Sequence, residues 1–254
     1  IKSKSLIKLS RWLEKTTYDN SNHIICLSPG MKDELISIVP KFKVTTVTNL
    51  CDISGFQQKR SKLKIPISKK NPFILYTGAF GRINRIGYLV EIAKEMRGIN
   101  PDLFFLLVGD GYDKKKIIQT AKQYGLYGNT LYCIDYVAKD KIPKLLSRAT
   151  ITTSLFANIP EMKNNSANKF FDALAAGKPI MINYGGWQAD LLRDTGCGFI
   201  IPPNDPINSA KIINDIINNE SKLNKMSKAS IALAKEFDIE TNYNKFVGVV
   251  DSVM

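Results

Sequence analysis

The apolar positions of this chain change period along its length. In residues 4–18, KSLIKLSRWLEKTTY, Leu6, Leu9 and Leu13 recur at helical spacing with Ile7 and Trp12 beside them, which predicts an amphipathic helix. HIICLS (His23 to Ser28) predicts a short buried strand. In the following SPGMKDELISI, Ser28 is placed to cap a helix, Pro29 suits its first turn, and Asp33 and Glu34 favour the positive end of its dipole. KVTTVTNL (Lys43 to Leu50) predicts a second strand, completing the strand, helix, strand unit of a parallel sheet. Residues 52–71 are polar, basic and without period, and predict a connection between domains.

From Pro72 the alternation resumes. Strands are expected at 73–78, 103–109, 130–134, 150–156, 179–184 and 198–202, with helices near 86–97, 112–124, 139–147, 167–176, 187–193 and 205–219. Short apolar strands separated by helices predict an α/β, doubly wound parallel sheet with right-handed crossovers. A last helical stretch runs from Ser221 to Met254 with an interruption near Asp238.

The 254 residues are 44% hydrophobic, enough for one large domain or one domain plus part of another. LFFLLV (Leu103 to Val108) is far too short to span a bilayer, and no signal-peptide pattern is present. Cys26, Cys51, Cys133 and Cys197 lie far apart and His23 is the only histidine, so neither a zinc site nor a disulfide framework is expected. A reducing cytoplasm is the simplest location. The net charge is +13, of which residues 1–70 hold +9 (14 Lys and Arg against 5 Asp and Glu). This front-loaded charge suits an anionic membrane surface, and equally a solvated lysine-rich face. No interleaving of aromatic and basic residues supports nucleic-acid binding.

Open parallel sheets bind ligands beyond the carboxyl ends of their strands, so candidate chemistry is sought in the strand-to-helix loops. The first, TGAFGRINRIG, has Gly78 and Gly81 for close backbone approach and Arg82 and Arg85 for charge. It reads as a phosphate loop or as a tight turn with solvated arginines. The second, with Gly109 and Gly111, reads as a turn leading into the next helix. In the third, Tyr136 and Val137 offer backbone to a flat ring. The fourth leads into NNSANKFFDALAAGKPI, where Ser166 is expected as N-cap, with Ala167 and free N–H groups after it. Phe170, Phe171 and Leu174 share one helical face; Asn168, Lys169 and Asp172 share the other. Lys169 and Asp172 form either a surface ion pair or a grip on a diphosphate and a ribose diol.

Taken in order, FILYTGAFGRINRIGYLVEIA, LFFLLVGDG, DYVAKDKIPKLLSRATITTSLF and SANKFFDALAAGKPIMINYGG resemble the family 4 (group 1, retaining) glycosyltransferases of the GT-B fold. The resemblance covers nearly the whole chain and is closest to the branch building capsule, O-antigen and colanic-acid-type polysaccharides. NSNHIICLSPGMKDELI resembles the segment closing the N-terminal domain of that family. The implied organisation is 1–52 as the last part of an acceptor-side N-terminal domain, 53–71 as linker, 72–237 as the donor-binding domain, and 238–254 as a helix returning to the N-terminal domain. Most of the N-terminal domain is then expected to lie outside this chain, which starts at Ile1.

The family's two signature glutamates fall on Asn164, near the donor sugar, and Asp172, at the ribose. Its phosphate-contacting Phe-Gly falls on Ser166 and Ala167. Its first-loop Arg and Lys fall on Ala79 and Asn84, with Lys169 and Arg82 or Arg85 as substitutes. The resemblance implies transfer of a sugar from a nucleoside diphosphate, uridine favoured, to a saccharide or lipid-linked saccharide, with retention. Lys169 and Asn164 are the expected catalytic residues. No D-x-D occurs, and neither metal nor cofactor is expected. A sugar-nucleotide epimerase of the same fold, and a nucleotide-binding fragment inactive alone, are the competing readings. Lys4, Lys8, Arg11 and Lys15 flank the apolar side of the first helix, and peripheral contact with an anionic membrane is expected there.

Overall fold

The computed structural model describes residues 3–57 and 63–254, all but the side chain of residue 57. Two parallel sheets organise it. The larger has six strands, all pairing in parallel: β3 (Phe73–Thr77), β4 (Phe104–Val108), β5 (Leu131–Ile134), β6 (Ile151–Ser154), β7 (Ile180–Ile182) and β8 (Gly198–Ile200). Their order is β5-β4-β3-β6-β7-β8. The chain builds outward from β3 to one edge, returns, and builds from β6 to the other. The strand order therefore reverses between β3 and β6, where a doubly wound sheet opens a crevice. The smaller sheet pairs β1 (Ile24–Cys26) with β2 (Val44–Thr46).

Strand alternation divides the core into two layers. Ile74 and Tyr76 of β3 and Phe105 and Leu107 of β4 pack with α4 (Gly87–Ile99), α5 (Lys114–Gln123) and α9 (Pro206–Ile217). Phe73, Leu75, Leu106 and Val108 face the opposite layer, with Leu145 and Leu146 of α6 (Ile142–Arg148). In that layer Phe170, Phe171 and Leu174 of α7 (Asn168–Ala175) are fully buried. Each such side chain contributes about 1.5–3 kcal/mol of apolar burial. This is the face expected for α7, and it anchors the helix against the carboxyl end of β6.

One feature departs from the expectation, and the break near Asp238 follows it. The connection contains a helical turn, α3 (Ile53–Gln57), capped by the Asp52 carboxylate, which accepts from the Gly55 N–H at 2.8 Å. Phe56 of α3 is buried against the sheet. The last helical stretch is two helices, α10 (Glu220–Ala234) and α11 (Ile239–Asp251), parted at Asp238. There the Cys51 N–H donates to the Phe237 carbonyl at 2.7 Å. Ahead of these, α1 (Lys4–Asp19) buries none of its side chains. The hydroxyl of Ser28 caps α2 (Pro29–Leu35), as its sequence implied. No helix among the described residues is long and apolar enough to cross a membrane. His23 is a strand-end residue, its Nε2 2.9 Å from the Thr45 hydroxyl.

Candidate functional site

A cleft of about 670 Å³ opens at the reversal point of the large sheet. Thr77 and Gly78 line it from the end of β3, and Val108 and Gly109 from the end of β4. Tyr136 and Val137 follow β5, while Asn168, Lys169 and Asp172 project from the first turns of α7. The connection closes the remaining side with Asn49, Leu50, Asp52 and Phe56.

Close backbone approach is built into the floor. The Gly78 N–H donates to the Val108 carbonyl at 2.9 Å, and the Phe80 N–H to the Asp110 carbonyl at 2.8 Å, clamping two loops together. Gly78 has φ +138°, and a Cβ there would lie 3.1 Å from Lys169 Cε. Glycine is thus required both by the backbone and by the lysine that crosses it.

Lys169 Nζ lies 5.4 Å from the centre of the Tyr76 ring and 5.5 Å from that of Phe156. Among the described residues it makes no hydrogen bond and no ion pair. It is half-buried, and burial pulls its ammonium below the ordinary lysine value, against the opposing pull of Asp172. Asp172 is also half-buried. Burial pushes its carboxyl from 3.8 up to about 6; Lys139 and Lys169 pull it down, and Asp52 adds to the rise. The two side chains share a cleft without forming the surface ion pair allowed by their spacing. A cation and a carboxylate are thus held apart, one helical turn from each other, with capacity left for a ligand of mixed charge and hydroxyl character.

Gly78, Tyr136, Val137, Asn168, Lys169 and Asp172 come together here, but other expected site residues do not. Arg82 lies over the Tyr112 ring at 4.6 Å, and Arg85 over Tyr88 at 5.4 Å with a 2.5 Å bond to Asn204. Both line a neighbouring groove, because partners from other loops turn them away. Gly81 has ordinary φ and no close approach to make. Ser166 does not cap α7. The N-cap is Ala167, itself buried outside the cleft lining, and the Ser166 hydroxyl is buried with no partner among the described residues.

Asn164 is likewise outside the cleft lining. Its amide donates to Glu34 at 2.5 Å, and its carbonyl accepts from the Ser28 hydroxyl at 2.6 Å. With the Asn49 amide donating to the Ser166 carbonyl at 2.6 Å, these bonds tie the small sheet's loops to the stretch just before α7. Asn49, Leu50, Asp52, Phe56, Lys139 and Ile142 line the cleft without having been singled out in the sequence. The D-x-x-G of a capped turn at 52–55 was the one available signal.

Residues 57–232 match the family model described as glycosyl transferases group 1. No curated protein matches the chain. Among similar solved structures is sucrose-phosphate synthase from Thermosynechococcus elongatus, at TM-score 0.80 and 17% identity, covering 100% of this chain and 64% of that one. Another is Anabaena HepE in complex with UDP and glucose, at TM-score 0.77 and 19% identity, covering 95% and 66%. A third is a TarM variant from S. aureus in complex with fondaparinux, α-GlcNAc-glycerol and UDP, at TM-score 0.74 and 16% identity, covering 94% and 46%. At these identities the likeness is one of fold. The chain spans about half to two thirds of the length of these structures.

Proposed function

Because this chain belongs to the group 1 glycosyltransferase family, we propose that it transfers a sugar from a nucleoside diphosphate donor, with UDP-sugar favoured, to a saccharide hydroxyl. We place the reaction in cell-surface polysaccharide synthesis, with retention at the anomeric carbon. Residues 1–52 belong to the acceptor side and 72–237 to the donor side on this reading, with 53–71 linking them and 238–254 returning. The observation that carries it is the unpaired Lys169 beside Gly78 at the start of α7, with Asp172 one turn deeper. Solved neighbours containing UDP give the same ligand class.

The diphosphate lies against Gly78, where no side chain intervenes. It meets Lys169 Nζ and the N–H groups of Asn168 and Lys169 at the positive end of the helix. Asp172 accepts hydrogen bonds from the ribose diol. As the bond to the anomeric carbon breaks, negative charge grows on the departing diphosphate. The fixed ammonium and amides stabilise it more than they stabilise the bound donor. No step is assigned to a metal ion. Asn164 acts by holding Glu34 and Ser28. The test is calorimetric titration with UDP, compared with Lys169→Met and Asp172→Asn; unchanged isotherms in both variants overturn the assignment.

Asp172 also sets a pH dependence. Its carboxylate accepts both ribose hydroxyls only when ionised, so UDP affinity is expected to fall as pH drops through about 6. The stability effect has the opposite sense. With its folded value above 3.8, the folded state retains a proton that the unfolded chain has lost, so this stabilising contribution is present below that value and lost as pH rises through about 6. Asp172→Asn is expected to raise stability at pH 8 by about 1–2 kcal/mol after allowance for screening. Denaturant titrations at pH 4 and pH 8 check the sign.

Peripheral membrane contact is proposed through α1, whose Leu9, Trp12 and Leu13 are exposed beside Lys8, Arg11 and Lys15. Co-sedimentation with anionic vesicles at low salt, lost in Trp12→Glu, is the expected result.

A further inference from the structure

The cleft continues past Asp172 toward the loop after β5. There Leu50, Phe56, Val137 and Ile142 form apolar walls, and the exposed Tyr136 ring stands at the rim. This is a slot suited to a flat heterocycle. Two charged side chains, Asp52 and Lys139, line the same end. Asp52 precedes α3, which packs between α6 and α7, and Lys139 follows β5, so both lie on the β5 side of Lys169. Both line the same cleft as Asp172, which places them near the proposed ribose position.

Neither is consumed by the protein. The Lys139 side chain makes no hydrogen bond or ion pair among the described residues. Asp52 Oδ1 accepts from the Gly55 N–H at 2.8 Å and the Ser54 hydroxyl at 3.3 Å, which fixes the carboxylate. Its Oδ2 has no hydrogen-bond partner among the described residues.

We propose that Lys139 and Asp52 read the imide edge of the donor's base, selecting uridine, thymidine or guanosine diphosphate sugars over those of cytidine and adenosine. This rests on the donor-cleft reading above. Uracil, thymine and guanine each present a carbonyl acceptor beside a ring N–H donor. Cytosine and adenine present the reverse, an amino donor beside a ring nitrogen acceptor. An ammonium only donates and a carboxylate only accepts, so a fixed pair fits one sense of this pattern, and the uridine donor favoured above makes that sense the imide one. The reversed edge sets donor against donor and acceptor against acceptor, which a partly desolvated slot penalises.

Calorimetric titration with UDP, GDP, CDP and ADP tests it in the unsubstituted chain, Lys139→Met and Asp52→Asn. UDP and GDP are expected to bind about tenfold or more tighter than CDP and ADP. Lys139→Met should weaken UDP and GDP by about tenfold and leave CDP and ADP nearly unchanged. Asp52→Asn keeps a capping side chain for α3 and adds a donor for a ring nitrogen, so it should narrow the gap. Equal binding of all four nucleotides overturns the base assignment. So does a uniform loss across all four in Lys139→Met, which would make that lysine a general anion contact; the donor cleft stands in both cases. Failure of every nucleotide to bind overturns the donor cleft and the base assignment together.

Discussion

Lys169→Met is expected to slow sugar transfer by about 100-fold or more while making the protein more stable. The two effects share one cause. The ammonium sits among Tyr76, Phe156 and Gly78 with no hydrogen bond or ion pair among the described residues, and burial lowers its tendency to hold a proton. Without ligand it is a desolvated charge whose company is two aromatic faces and the more distant carboxylate of Asp172, and methionine fills the same space without the desolvation cost. With a breaking diphosphate ester beside it, the charge meets its counterpart in the transition state. Turnover at saturating donor and thermal unfolding of both proteins check the pair of outcomes. Unchanged turnover removes Lys169 from the chemistry. A large drop in melting temperature makes it a packing residue instead.

Gly109→Ala is expected to cost about 3 kcal/mol or more of stability and to abolish nucleotide binding with it. Gly109 has φ +144°, and a Cβ there would stand 1.9 Å from the Gly78 carbonyl oxygen. The clash is with backbone, so no rotamer relieves it. The loops after β3 and β4 would separate, and Gly78, over which Lys169 lies, would move. Gly81→Ala is the control. Its φ is −92°, and its added Cβ meets only Asn84 Nδ2, at 3.5 Å. Near-wild-type folding and binding are expected there. Denaturant unfolding and UDP titration of both variants decide between a clamped floor and an ordinary turn.

The contrast between these glycines marks a limit of reading the chain by itself. Both stand in G-x-x-G or G-x-G runs after an apolar strand, and only the pairing of β3 with β4 reveals which one has another backbone pressed against it. The strands themselves were legible, because residues such as Phe73 to Tyr76 are buried on both faces and leave continuous apolar runs. The buried face of α7 was legible from the spacing of Phe170, Phe171 and Leu174. Arg82 and Arg85 misled because a loop arginine takes its direction from its partners, here Tyr112 and Asn204, both distant in sequence, and Tyr88 on the helix that follows. The wall formed by Leu50 and Phe56 was missed because a five-residue helix carries too little periodicity to register, and Phe56 lies just before a basic run in the sequence.

The bonds from Ser28 and Asn49 to the backbone at Asn164 and Ser166, and from Asn164 to Glu34, all end within three residues of one another. Helix α7 begins two positions later. Tilting of one sheet against the other therefore acts through a lever with almost no arm, and nearly all of that rotation reaches the first amides of α7. On the proposed reading of the cleft, seating a donor and setting the angle between the two sheets become a single mechanical event.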